Sequence, residues 1–497
     1  MSGKMGYLYP VLCEEVVPGD VFDIGCESVI RFAPMVAPVL HEIVLKADWF
    51  FVPYRILFPR TAYGNDGLTP WESFITGGRS GTSSVTRADL GVLDMTYGIP
   101  EGKLWDHLGM PTSVGMTEGD DDDAPLKFPG MAYLSIYNNY YRDPSLEDEI
   151  DITACPYDMD CKYANWDADY FTRALPFQQR GTAPALPISG TAHAVWDATA
   201  FAVGAATAGG FNNGTDAKYY AGGIDQKANA QAFFNGNWVD LSNATSLNIA
   251  DLRLAVQLQR WMERNARSGY RYTEFLRAHF GVAPRDDRLD RPEYIGGVRQ
   301  PVIVSEVLQT SKTESGAPQG NMAGHGIMAG RHGIGRYHAK EYGLIMCLMS
   351  IIPRPAYQQG IERQWLRKTR YDFYHPEFAN LSEQAIYNEE IYVSAAKATN
   401  LGIFGYQGRY DEMRSKRDKV AGAFKSTLNY WHLGRIFGSL PSLNSTFGHV
   451  DPSSVTRIFA VPSADNIYVH WGNSIRAIRP LPAQSNPGLM DHDFGGA

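Results

Sequence analysis

Two short stretches carry residues suited to holding a negatively charged polymer. Residues 362–370 (ERQWLRKTR) place Arg363, Arg367, Lys368 and Arg370 around Trp365. Residues 409–419 (RYDEMRSKRDK) place Arg409, Arg414, Lys416, Arg417 and Lys419 beside Tyr410. Cations track phosphates and a neighbouring ring offers a face for a base, so the mixture suits single-stranded nucleic acid. The same residues also suit a solvated or subunit-pairing face. That alternative weighs most in the second stretch, where Asp411, Glu412 and Asp418 intervene.

Patterns for other chemistry are weak or absent. Residues 323–335 (AGHGIMAGRHGIG) are glycine-rich but contain neither a phosphate-loop lysine nor a dinucleotide-binding glycine triplet. They read as a flexible loop. His325, His332 and His338 fall in or beside it, without the helical spacing of a zinc site. No nucleophile elbow of the G-x-S-x-G type occurs. The acidic run 118–123 (EGDDDD) lacks the alternation of a calcium loop and reads as solvated. The five cysteines, Cys13, Cys26, Cys155, Cys161 and Cys347, form no C-x-x-C pair, and so low a density suits free thiols in a reducing compartment. Cys155 and Cys161, set among acids, are at best a weak metal pair. No catalytic, cofactor-binding or metal-binding residue is therefore assigned, and the chain reads as a non-enzyme.

The net charge of −9 argues against a generic nucleic-acid binder. Its distribution is uneven. Residues 1–250 hold 15 Lys and Arg against 31 Asp and Glu, while residues 251–497 hold 30 against 23. Such asymmetry suits one face turned toward nucleic acid, and also suits chance segregation of solvated charge.

The elements that must position these residues are mostly strands. Aromatic residues make up 12% of the chain, and 49 Gly and 29 Pro interrupt helices, so short strands joined by long loops are expected. Residues 39–52 and 300–310 read as strands. So do residues 342–352 (YGLIMCLMSII), the longest apolar run, which is too short to cross a membrane and stops at Pro353. The N-terminus shows no secretory signal pattern. A helical turn is expected at 71–75 and helical or mixed structure at 131–142. The clearest helix starts after Asn248, with Leu254, Leu258 and Trp261 on one stripe, and ends at Gly269. A second, at 272–279, sets Tyr272, Phe275, Leu276 and His279 on one face.

Residues 186–247 differ from the rest. Ala, Gly, Asn and Thr dominate, with Lys218 and Lys227 the only basic residues. Aromatics are scattered through it: Trp196, Phe201, Phe211, Tyr219, Tyr220, Phe233, Phe234 and Trp238. That is too aromatic for a disordered linker and reads as an inserted excursion.

Several segments in order resemble the major capsid proteins of Microviridae, especially the gokushovirus-like branch. They include Tyr9-Pro10 through Pro18-Gly19-Asp20, then residues 50–55 (FFVPYR), 71–75 (WESFI) and 170–176 (YFTRALP). The densest block is 263–267 (ERNAR), 271–274 (RYTE), 279–282 (HFGV) and 291–297 (RPEYIGG). Residues 309–311 (QTS), 318–321 (PQGN), 376–378 (PEF) and 405–410 (GYQGRY) continue it. The resemblance implies a mainly β chain, residues 1–497 forming one eight-stranded viral jelly roll with long loop insertions and a few helices. It implies self-assembly into a T=1 icosahedral shell around a circular single-stranded DNA genome. Implied partners are copies of itself, the DNA, a small basic DNA-binding viral protein, a pilot or minor capsid protein and a host surface receptor. Assembly would occur in the bacterial host cytoplasm, without membrane insertion. Residues 186–247 fall where gokushoviruses carry a variable insertion, so they are a candidate three-fold protrusion and host-attachment element.

A different class stays open on the residues alone. A secreted or surface β-sandwich that binds or cleaves glycans could use the aromatics and acids of residues 61–240.

Overall fold

A computed structural model describes residues 1–58, 67–77, 85–115, 124–184, 193–195, 238–240, 249–268, 272–283, 285–308 and 322–480. The chain divides into two units, one of Met1–Gln178 with Asn265–Ala497 and one of Gln179–Arg264.

The larger unit is built on two antiparallel sheets. The first has the order β1-β15-β3-β9-β8, where β1 is Ser2–Gly3, β3 Val21–Phe32, β8 Ile303–Leu308, β9 Met322–His338 and β15 Ile467–Ile478. The second has the order β2-β10-β4-β7, with β2 Tyr9–Val16, β4 Ile43–Pro53, β7 Glu293–Pro301 and β10 Gly343–Pro353. Neighbours in the second sheet are distant in sequence: Gly343 sits opposite Val16 on one side and Pro53 on the other. One hydrophobic cluster draws from both sheets, including Phe22, Ile24 and Ile30 of the first and Trp49, Ile345 and Leu348 of the second.

The two sheets differ in their cover, and the sequence periods follow. In β3 buried and more exposed residues alternate, as a sheet with one wet face requires. All eleven residues of β10 are buried. Its outer face is covered by the helix Phe128–Ile136, which packs on β10 and β4, so both faces must be apolar. Each fully buried Leu, Ile or Met there contributes up to about 1.5–3 kcal/mol.

The glycine-rich stretch expected to be a flexible loop is instead β9, a 17-residue strand. The glycines serve close packing. A Cβ on Gly326 would lie 2.7 Å from the Phe32 ring, and one on Gly324 would strike the backbone carbonyl of Ala37. His332 is held on this strand by Gln300, at 2.7 Å.

Smaller elements carry the remainder. The helix Pro70–Thr76 starts in a reciprocal capping box between Thr69 and Glu72. Residues 128–141 run as a helix that widens into a π turn at Tyr137–Tyr141. A satellite core of Tyr170, Phe171, Tyr357, Ile386, Ile391, Phe404 and Phe447 lies apart from the main one. Around it run two short pairs, β11 (Ala356–Tyr357) with β14 (Asp418–Lys419), and β12 (Glu383–Tyr387) with β13 (Ile403–Gly408).

In the smaller unit, β5 (His193–Val195) pairs antiparallel with β6 (Trp238–Asp240). The helix Ile249–Ser268 begins there and matches the expected span. Its predicted apolar stripe does not face the interior: Leu254 is 67% and Trp261 48% exposed, while Met262 and Ala266 are buried. Of the aromatics singled out in 186–247, Trp196, Phe201, Phe211, Tyr219, Tyr220, Phe233 and Phe234 lie outside the described residues. Trp238 lies in β6, and the acidic run 118–123 lies outside the described residues. The second predicted helix forms over Tyr272–Phe280, with the Phe275 and His279 rings 4.5 Å apart.

Candidate nucleic-acid interface

The two cationic stretches converge on the satellite core. Short turns at Arg363–Trp365 and Arg370–Asp372 present the first stretch, the second capped reciprocally by Thr369 and Asp372. The end of β13 delivers Arg409. The Arg367 guanidinium approaches Glu412 at 3.6 Å, Lys419 meets Glu362 at 2.7 Å, and Arg409 donates to the Tyr371 carbonyl at 3.1 Å.

Burial separates these cations into two groups. Arg363 donates to Glu390 at 2.8 Å and to the Ala385 carbonyl at 2.7 Å. Arg367 donates to the Asp372 carbonyl at 2.5 Å and lies over Phe373. Arg417 donates to the carbonyls of Glu390 at 2.5 Å and Gly360 at 3.0 Å, over the Phe171 ring. These three are structural ties with little capacity left for a phosphate. Lys368, Arg370, Arg414 and Lys416 are exposed and Arg409 half-buried. The pairs Lys368–Glu389 and Arg414–Asp411, each at 3.7 Å, are surface contacts worth at most about 1 kcal/mol, so a phosphate can replace the carboxylate.

Exposed rings complete the surface. Trp365 is 74% exposed, and Tyr371, Phe373 and Tyr374 are each at least half exposed. The last three were missed in the sequence, although the run YDFY at 371–374 is dense enough to have been a signal. The arrangement can stack planar groups beside mobile cations.

A second cationic group lies outside both stretches. Arg435, a buried residue, sits among four rings, with its guanidinium carbon 3.9 Å from the Phe447 centroid and 5.0 Å from that of Trp166. Arg457 donates to the carbonyls of Asn429, His432, Ser454 and Gly434. Its pKa is lowered to about 10 by burial. Among the described residues neither arginine forms an ion pair with a carboxylate. Isolated arginines among apolar residues gave no sequence signal for this.

Beside them His432 is fixed in one neutral form. The Gly434 N–H donates to its Nδ1 at 3.0 Å, so Nε2 carries the proton and donates to the Phe424 carbonyl at 2.8 Å. Burial first, and then nearby Arg457, lowers its pKa from the ordinary 6.5. His107, packed edge-on against Tyr9, is lowered by burial as well. A group with a depressed pKa binds fewer protons folded than unfolded. Its stabilising effect is full above 6.5 and is lost as pH falls through the folded value. Thermal melting of the protein is therefore expected to be lower at pH 5.5 than at pH 7.5. His432→Asn, which keeps one donor and one acceptor, should flatten that slope, and an unchanged slope would contradict the assignment.

The other sequence candidates remain structural. Cys155 and Cys161 are buried, and burial pushes the Cys155 thiol up to about 12, which leaves it unreactive. No group of three or more His, Cys, Asp or Glu able to hold a metal occurs among the described residues. No helix among them is long and apolar enough to cross a membrane.

The family model described as "Capsid protein (F protein)" matches residues 1–489. Three proteins named capsid protein VP1 are similar along most of their length. That of Chlamydia phage 1 is 32% identical over 98% of this chain and 93% of its own. That of Bdellovibrio phage phiMH2K is 34% identical over 89% and 85%, and that of Spiroplasma virus 4 is 31% identical over 98% and 93%.

Proposed function

Because the chain belongs to the capsid protein (F protein) family, a structural and non-enzymatic component of phage virions, we propose that it is a shell subunit assembling with itself into a T=1 icosahedral capsid. The shell encloses a circular single-stranded DNA genome, and the eight longer strands of the two sheets, all but the two-residue β1, make up one jelly roll. The observation that carries this reading is the strand order. Both sheets interleave strands from distant parts of the chain over one shared core, and the long connections leave room for loops that meet neighbouring copies.

Trp365, Lys368, Arg370, Arg409, Arg414 and Lys416 face the genome or a small basic protein bound to it. Arg363, Arg367 and Arg417 hold that surface in shape. A pilot or minor capsid protein and a host receptor are further partners of the shell. Residues 186–247, nearly free of Lys and Arg, form the attachment loop, with its aromatics gathered at a contact between copies at a three-fold axis.

Electron microscopy of the expressed protein tests the reading directly. Uniform spherical particles are expected, and a persistent monomer overturns it. Replacing residues 190–240 by a short Gly/Ser linker is expected to leave particle assembly intact while abolishing adsorption to host cells. Normal infectivity of such particles would sink the attachment role.

A further inference from the structure

Among residues 433–457 lies an open pocket of about 570 Å³, within the ligand-site range of about 300–1,000 Å³. Arg435 and Arg457 both line it. A buried cation is normally matched by a carboxylate, because uncompensated charge in a dry site is costly. Here four aromatic rings, the Phe447 carbonyl at 2.8 Å and the Tyr357 hydroxyl at 3.5 Å partly compensate Arg435, and four backbone carbonyls partly compensate Arg457. Asp451 is the one acid of the lining, and its carboxylate already accepts from the Ser453 N–H at 2.9 Å and hydroxyl at 2.7 Å. His449 is engaged by the Tyr137 hydroxyl at 3.2 Å. The lining thus has two cations with no carboxylate pair, among the described residues.

The rest of the lining points to the class of anion. Ser442, Asn444 and Thr446 supply hydroxyl and amide groups of the kind that bind phosphate and sugar oxygens. Phe437, only partly buried, provides a ring at the same site. An acidic peptide would use the arginines but has no need of the ring and hydroxyl lining.

We propose that this pocket is a phosphate-and-sugar site for a strand of single-stranded nucleic acid, with Arg435 and Arg457 supplying the positive field and the Ser442–Thr446 rim the hydrogen bonds. It rests on the reading of the chain as a shell around DNA, and it places a genome contact away from residues 363–370 and 409–419. The site is a pocket of local charge imbalance, whereas those stretches form an open surface of exchangeable pairs.

The test uses purified full-length particles emptied of nucleic acid and a 5′-phosphorylated oligothymidylate. Ultraviolet cross-links are expected to map to peptides within residues 433–457, with binding that weakens as salt rises. Arg435 and Arg457 also hold the fold, so the variant of choice is Ser442→Asp with Thr446→Asp, both at exposed positions. It should weaken oligonucleotide binding at least about tenfold, a loss equivalent to about 1.4 kcal/mol, without changing particle yield. Cross-links confined to residues 363–370 and 409–419, or binding unaltered by the two aspartates, overturn the proposal. Inorganic phosphate that competes as well as the oligonucleotide overturns it in favour of a free-oxyanion site, and efficient displacement by an acidic peptide but not by the oligonucleotide does so in favour of a protein partner. Failure to form particles at all would count against the shell reading instead, which keeps the two failures distinct.

Discussion

Trp49→Ala is expected to lower the stability of the subunit by about 3–5 kcal/mol, among the largest effects a single substitution in this chain can have. Trp49 is fully buried in β4, opposite Cys347 of β10 and Gly296 of β7, with its ring centroid 6.2 Å from that of Trp471. It lies at the register shift between Trp49 and Phe50, so it fills space where the sheet bends. Removing the indole leaves a cavity between the two sheets that the paired strands cannot close. Trp49→Phe should cost less, since the indole N–H has no hydrogen-bond partner among the described residues and its loss removes an unsatisfied donor. Denaturant midpoints of the two variants check this, and equal losses for phenylalanine and alanine would contradict it.

Glu390→Ala is expected to cost a similar amount, about 3–5 kcal/mol, by a different route. The Glu390 side chain is 2% exposed and accepts from Arg363 at 2.8 Å, Tyr170 at 3.0 Å and the Tyr387 N–H at 2.9 Å. Its removal leaves the Arg363 guanidinium, itself 18% exposed, without its counter-charge. The damage should begin in the satellite core, where protease cleavage near residues 360–420 would rise before global unfolding. Arg363→Met with Glu390→Leu should recover most of the loss, because an apolar pair avoids desolvating two charges. If the double variant is no more stable than Glu390→Ala alone, the ion pair is not the source of the effect.

Several elements could be read directly from the residues. The run at 342–352 became β10 because a strand covered on both faces needs an unbroken apolar sequence. The helix Ile249–Ser268 followed from local capping and periodicity, and the helical turn expected at 71–75 lies within the helix Pro70–Thr76. The glycine-rich β9 was misread because glycine is a loop signal locally, whereas its need here arises from the Phe32 ring and the Ala37 carbonyl on neighbouring segments. The stripe of Leu254, Leu258 and Trp261 was seen correctly as a stripe, but periodicity does not state what covers a face.

From the residues alone it follows that the chain is β-rich, that it carries cations near aromatic rings, and that its thiols and histidines lack metal-ligand spacing. These properties depend on residue type and on separations of a few positions. Folding sets which cations are buried in fixed ties and which stay exposed with exchangeable partners. Arg363 and Lys368 are five residues apart on the chain, yet one is locked against Glu390 and the other exposed beside Glu389. Arg435 and Arg457 show no local pattern and come to line one pocket only through the folded loops around Phe447. Charge compensation depends on distances of a few ångströms between residues far apart in sequence, and only folding sets those distances.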